Sequence, residues 1–126
     1  MQGRIEGDIM GRLLKIKING KILTPGYISD DGTRLTMPKK DKHIYRNFNS
    51  FGISEQVLDY LIKIGIKETL IIWHKKDDTE EVFKIPIQAW KLGQKTQEGK
   101  FEPQVHISIP ELRKISNASV GKVEIL

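Results

Sequence analysis

The chain has 126 residues, a length typical of one domain, and we expect an α+β domain at residues 13–126 behind a flexible leader at residues 1–12. Hydrophobic residues make up 38% of the sequence, which is enough for a packed core. The lack of cysteine excludes disulfide frameworks, thiolate nucleophiles and zinc sites that need sulfur. The sequence has no run of about 18 apolar residues and no apolar signal-peptide core, so we expect a cytoplasmic protein without membrane contact.

The charge balance is basic, with 21 Lys and Arg against 16 Asp and Glu and a net charge of +5. A basic domain favours an anionic partner such as nucleic acid. Five excess charges also lie within the range that solubility alone explains. The abundance of Ile, Lys and Glu is typical of thermophile proteins and equally of proteins from AT-rich genomes.

The first third of the chain predicts a β-meander. Leu13 to Ile18 alternates apolar and cationic residues, and Asn19-Gly20 supplies the two positive φ angles of a tight hairpin turn. β-Branched runs separated by Pro, Gly and Asp predict further strands at residues 21–23, 27–29 and 33–37, with turns at 24–26 and 30–32. The lysine-rich segment that begins at Pro38 is expected to end this pattern.

The rest of the chain predicts one principal helix among further strands. Apolar residues recur at helical spacing from Val57 to Ile62, with Ser54 as N-cap and Gly65 after the end, which indicates an amphipathic helix at about residues 54–64. The other predicted elements are strands at 69–73, 82–85 and 105–109, an edge strand at 122–126, short helices at 86–92 and 110–115, and a polar loop at 94–100. Together they predict a mostly antiparallel sheet of five to seven strands.

The segment from Lys39 to Phe51 combines cations with aromatic rings. Cations neutralise phosphates and rings stack on bases, so this segment indicates a nucleic-acid surface. The predicted binding residues are Lys39, Lys40, Lys42, His43, Tyr45 and Arg46. The alternative is that Ile44, Phe48 and Phe51 anchor the following helix in the core while the lysines lie on an ordinary solvated loop. We expect a small non-enzymatic nucleic-acid-binding accessory protein, with DNA and RNA both open.

Three histidines indicate a less favoured hypothesis, a metal-dependent phosphodiesterase. His43, His74 and His106 would form its centre if the fold brought them together. The acidic residues considered with them are Asp77, Asp78 and Glu102. The spacings of 31 and 32 residues between the histidines follow no metal-binding motif. Motifs for nucleotide hydrolysis, dinucleotide binding, zinc proteases and serine hydrolases are absent, so no catalytic residue and no cofactor is assigned.

The remaining hypothesis is a protein-interaction or assembly module. An exposed sheet edge would pair with a second copy to form a homodimer, and Trp90 or Phe101 would serve as an exposed aromatic anchor. The stretch from His43 to Trp73 is also similar in texture to small proteins of phages, archaeal viruses and plasmids. That similarity implies a virus or mobile element as the source.

Overall fold

A computed structural model describes residues 11–46, 48–96 and 103–125, with side chains in the last helix described as far as residue 118. The strands are β1 (Arg12–Ile18), β2 (Lys21–Ile28), β3 (Arg34–Lys40), β4 (Ser50–Ser54), β5 (Glu68–His74), β6 (Glu80–Pro86), β7 (Gln94–Thr96) and β8 (Gln104–Ser108). The α-helices are α1 (Glu55–Lys63), α2 (Ile87–Lys91) and α3 (Ile109–Ile125), and a 3-10 turn lies at Asp41–His43. Within these ranges, no helix combines the length and apolar character needed to cross a bilayer.

The described strands form two sheets, of five and three strands. The larger sheet has the order β1-β2-β3-β5-β6, and only its β3–β5 pair is parallel. β4 and α1 lie in the long crossover that parallel pairing requires. The smaller sheet has the order β4-β8-β7 and is antiparallel. The predicted α+β class is therefore confirmed, although the strands divide into two sheets.

The core is a single apolar cluster to which both sheets and all three helices contribute. Alternation along the strands places Met37, Ile71 and Phe83 on the inner face of the larger sheet, where all three are buried. Phe51 of β4 packs edge-on against Trp73 of β5, with ring centroids 5.6 Å apart. The two sheets thus contact each other directly through aromatic side chains.

Several sequence predictions agree closely with the structure. The hairpin turn between β1 and β2 contains Asn19 and Gly20 at φ 52° and 79°. α1 matches the predicted amphipathic helix, with Ser54 at its N-cap position. The strands predicted at residues 69–73 and 82–85 pair as the β5–β6 hairpin. These elements are defined by contacts between residues near in sequence, which local patterns describe well.

The predicted turn at residues 24–26 is wrong, because β2 continues through it to Ile28. Leu14 pairs with Gly26 and Ile16 with Leu23, so the strand contains a bulge here instead of a reversal. A Cβ atom on Gly26 would lie 2.2 Å from the carbonyl oxygen of Thr36. Glycine therefore serves the close approach of β2 to β3.

The predicted break at Pro38 is also wrong, because β3 continues to Lys40. Parallel pairing with β5 extends to Lys40, which lies opposite His74. Pairing of β3 with β2 ends at Thr36, so Pro38 lies where β2 no longer needs a backbone N–H. Lys39 and Lys40 therefore lie on a strand and point to opposite faces of the sheet.

Corrections in the C-terminal third come from pairings and packing that local patterns do not show. Residues 94–96 of the predicted polar loop form β7 on the edge of β8. The helical turn predicted at 110–115 is the start of α3, which includes residues 122–125 of the predicted edge strand. Residues 1–10 of the predicted leader and residues 97–102, including Phe101 and Glu102, lie outside the described ranges.

Candidate nucleic-acid interface

The positive charge of the chain is concentrated in residues 11–46, called here the basic segment. It covers β1, β2, β3 and the 3-10 turn and contains nine Lys and Arg against three Asp, a net charge of +6. From residue 47 to residue 126, eleven Lys and Arg balance eleven Asp and Glu. The excess charge of the protein is therefore not spread evenly along the chain.

Most cations of the basic segment lie away from carboxylates. Arg34 is the exception, with its Nη2 atom 2.8 Å from Oε1 of Glu68. Among the described residues, the other eight form no salt bridge. They are Arg12, Lys15, Lys17, Lys21, Lys39, Lys40, Lys42 and Arg46. No described acid forms a salt bridge with these eight cations, so within this part of the chain their charge is available to an anionic partner.

The structure brings three of the predicted lysines together around His43. Burial lowers the pKa of the His43 imidazole, and the positive charges of Lys39, Lys42 and Lys40 lower the pKa further. The backbone N–H of Lys40 donates to Nδ1 of His43 at 2.9 Å. A neutral ring that accepts at Nδ1 carries its hydrogen on Nε2, where it is a donor to a ligand.

The turn that carries this cluster is fastened to the core through its one acidic residue. The indole Nε1–H of Trp73 donates to Oδ1 of Asp41 at 2.8 Å. Trp73 itself packs against Phe51 and Phe83 in the core. The Asp41 carboxylate is thus bound by a neutral donor, and it forms no salt bridge with a lysine among the described residues.

The aromatic residues after the turn have divided roles. Phe51 is fully buried and Ile44 packs partly buried against the core, which supports the anchoring alternative for these two side chains. Tyr45 and Phe48 cover the ring of His106, with centroids 4.2 Å and 5.6 Å away. Tyr45 remains 44% exposed, so one part of its ring is available for stacking. Arg46 is exposed beside it.

His106 is buried and contacts side chains from several elements, a role that no sequence pattern indicated. Its ring is only 3% exposed, with Nδ1 3.3 Å from Oγ of Ser50 and Nε2 2.8 Å from Oγ1 of Thr96. Gly52 lies directly opposite on β4, where a Cβ atom would approach Nδ1 to 2.7 Å. A serine hydroxyl beside a histidine is one part of a nucleophilic catalytic site. Ser50 is only 1% exposed, however, so its hydroxyl group is not accessible to a substrate. The ring instead supports the loop that carries Tyr45.

An open cleft lies where the two sheets meet, and we call it the inter-sheet cleft. It consists of two adjoining cavities of about 350 Å³ and about 230 Å³ that share Lys39 and Gly52. The remaining lining residues of the larger one are Lys42, His43, Ile44 and Tyr45. Those of the smaller one are Leu23, Thr24, Pro25, Met37, Ile53, Ser54, Val57 and Gln104. The described lining contains no Asp or Glu.

The histidines do not form the metal centre considered from the sequence. His43 lies in the lysine cluster and His106 is enclosed by aromatic rings. His74 lies at the end of β5, 3.4 Å from Asp78 and 3.5 Å from Glu80. Across the described ranges, no three His, Asp or Glu side chains are grouped as metal ligands. The hypothesis that the three histidines converge on a metal ion is therefore wrong.

Two features expected of an interaction module are also corrected. Trp90 is fully buried instead of exposed, and its Nε1–H donates to Oγ1 of Thr69 at 2.8 Å. The outer edge of β6 is covered by α3, where Oγ of Ser116 accepts the backbone N–H of Lys84 at 3.0 Å. β1, at the other end of the sheet, pairs only with β2 among the described strands.

Comparison with known proteins finds no matching protein-family model, curated protein or solved structure. The function of the chain is therefore inferred from its own charge and geometry.

Proposed function

We propose that this protein binds nucleic acid through the basic segment and acts as a non-enzymatic accessory protein. The observation that carries the proposal is the concentration of a +6 charge in residues 11–46, with eight cations in no described salt bridge. Nucleic-acid affinity depends largely on cations that replace the counterions of phosphates. A basic segment with exposed, unneutralised lysines and an adjacent exposed aromatic ring fits that requirement.

The predicted residues have distinct roles in this proposal. Lys39, Lys40, Lys42 and Arg46 contact phosphates. Tyr45 stacks on a base with the exposed part of its ring, and His43 donates a hydrogen bond from Nε2. With four phosphate contacts, the logarithm of the binding constant should fall with the logarithm of salt concentration at a slope of about −3 for a single strand.

Fluorescence anisotropy with labelled DNA and RNA across a salt series tests the proposal. The Lys40→Gln/Lys42→Gln double variant should weaken binding and reduce the magnitude of the salt slope by about 1.4. The matched control is Lys63→Gln/Lys91→Gln, which removes two exposed lysines from α1 and α2 outside the basic segment. Equal losses in the two double variants, or no binding by the unmodified protein at low salt, would refute the proposal.

A homodimer through β1 is the second candidate, because this strand has a free edge among the described residues. Leu13 on this strand is 44% exposed, and Ile22 on the adjacent strand is 67% exposed. Lys15 and Lys17 on the same strand oppose pairing with an identical copy, since edge lysines repel a second edge. Sedimentation equilibrium tests this candidate: a dimer that Leu13→Lys disrupts would support it, and a monomeric unmodified protein would refute it.

A further inference from the structure

We propose that the inter-sheet cleft binds one nucleotide of an unpaired strand, with its phosphate at Lys39 and its base against Tyr45. This inference rests on the proposed function and narrows its ligand from nucleic acid in general to single strands. Both residues line the same cavity of about 350 Å³, which falls within the size range of small-molecule sites. A base stacked inside a duplex has no free face for Tyr45, whereas an unpaired nucleotide presents both a phosphate and a base face.

The cleft exists because β2 and β3 separate after a short pairing. Only Tyr27 with Thr36 and Ile28 with Leu35 are paired between these strands. Beyond Thr36, residues of the segments 23–25 and 37–39 line the smaller cavity together with residues of β4. The opening is therefore built from three strands and is part of the fold itself.

Lys39 differs from the other lysines of the basic segment in its surroundings. It lies on the inner face of β3, in register with Trp73, and is half-buried. Among the described residues its ammonium group has no salt bridge and no hydrogen bond. No fully buried side-chain nitrogen or oxygen atom in the described ranges lacks a partner, so this ammonium group is open to the cleft.

A half-buried lysine whose ammonium group has no counter-charge is a poor structural element but a good anion site. Removal of a charge from water costs free energy that a partner must offset, and none of the described cleft residues is acidic. The same burial lowers the pKa of Lys39. A phosphate in the cleft supplies the missing opposite charge, and Lys42 and His43 on the same wall supply further donors.

The exposed edge of β4 adds a backbone donor at the floor of the cleft. Asn49 accepts a hydrogen bond from Ile109, and Glu55 donates to Pro103, so alternate residues of β4 bond toward β8. Gly52 lies between them at a position whose N–H and C=O point the other way, into the cleft. A phosphate oxygen bound at Lys39 is thus offered a main-chain N–H as well as a cation.

The experiment compares a labelled single strand of about 12 nucleotides with the duplex of the same sequence, by fluorescence anisotropy at one low salt concentration. The variants are Lys39→Met, which keeps the apolar stem and removes the charge, and Lys67→Met, an exposed control outside the basic segment. We expect the single strand to bind about tenfold more tightly than the duplex, and Lys39→Met to lose about tenfold in single-strand affinity. Lys67→Met should lose less than about twofold, since a single exposed charge contributes little.

The outcomes separate this inference from the proposed function. Equal affinity for single strand and duplex, with Lys39→Met no weaker than Lys67→Met, overturns the cleft site and leaves the basic segment as the binding surface. A lack of binding to either nucleic acid overturns both. Thermal unfolding of Lys39→Met is the control for folding. A melting temperature equal to or above that of the unmodified protein shows that the variant is folded and that the loss of affinity has another cause.

Discussion

Gly52→Ala tests whether the buried ring of His106 requires glycine at the facing position of β4. The added Cβ atom would lie 2.7 Å from Nδ1 and 2.8 Å from Cε1 of His106, well inside normal contact distance. The ring has little room to move, because Tyr45 and Phe48 cover it and Ser50 and Thr96 lie at its two nitrogens. We expect a loss of about 1 to 3 kcal/mol in the free energy of unfolding, as for other overpacked sites.

Urea denaturation measures this loss, and a second pair of variants shows its cause. In thermal denaturation, the same loss should lower the melting temperature by roughly 4 to 12 °C, at about 4 °C per kcal/mol. In a His106→Ala background the ring is gone and the methyl group of Gly52→Ala has space, so most of the cost should disappear. An unchanged cost in that background, or no cost in the unmodified protein, would show that His106 does not require glycine at this position.

Three further variants and conditions test the packing and the charges. Trp90→Phe removes the buried hydrogen bond to Thr69 and should cost about 1 to 3 kcal/mol in urea denaturation, whereas an unchanged midpoint would mean that the bond contributes nothing. The hydrogen bond from Arg113 is the largest cause that lowers the pKa of Glu81 from 4.5 to about 2. The unfolded state binds the proton more tightly, so stability should fall as the pH falls from 4.5 to about 2. Arg113→Gln should reduce this dependence without abolishing it, because Lys75 also lies 2.9 Å from Glu81 and lowers its pKa. The effect should stay below about 1 kcal/mol because the pair is partly exposed, and an unchanged pH profile in Arg113→Gln would contradict the assignment. Burial of the ammonium group lowers the pKa of Lys39, so Lys39→Met should raise the stability at neutral pH, and a lower midpoint would contradict an uncompensated charge there.

The parts of the fold that depend on local pattern were predictable from sequence. The Asn19-Gly20 turn needs positive φ angles, and the spacing of Val57, Leu58 and Leu61 defines one helical face. The end of β3 was not predictable in this way. Pro38 and the adjacent lysines resemble a loop in sequence, but the distant strand β5 pairs with them as far as Lys40. Tertiary pairing therefore overrides local propensity at this strand.

The candidate site shows the same division. The cluster of Lys39, Lys40 and Lys42 around His43 follows from their closeness in sequence. The inward position of Lys39 depends on the register of β3 with β5, and no local pattern gives that register. The burial of His106 depends on Gly52 and on rings contributed by a separate loop. A glycine opposite a strand histidine was the available signal, but it becomes visible only when the pairing of β4 with β8 is known.

The most direct test of binding by the basic segment is a map of backbone amide resonances by NMR. The protein is labelled with ¹⁵N and titrated at low salt with an unlabelled single strand of about 12 nucleotides. We expect the largest shifts within residues 11–46 and at Gly52, which lies on the floor of the inter-sheet cleft. Shifts confined to α1, α2 and β6, or no shifts at all, would contradict the proposal that the basic segment binds nucleic acid.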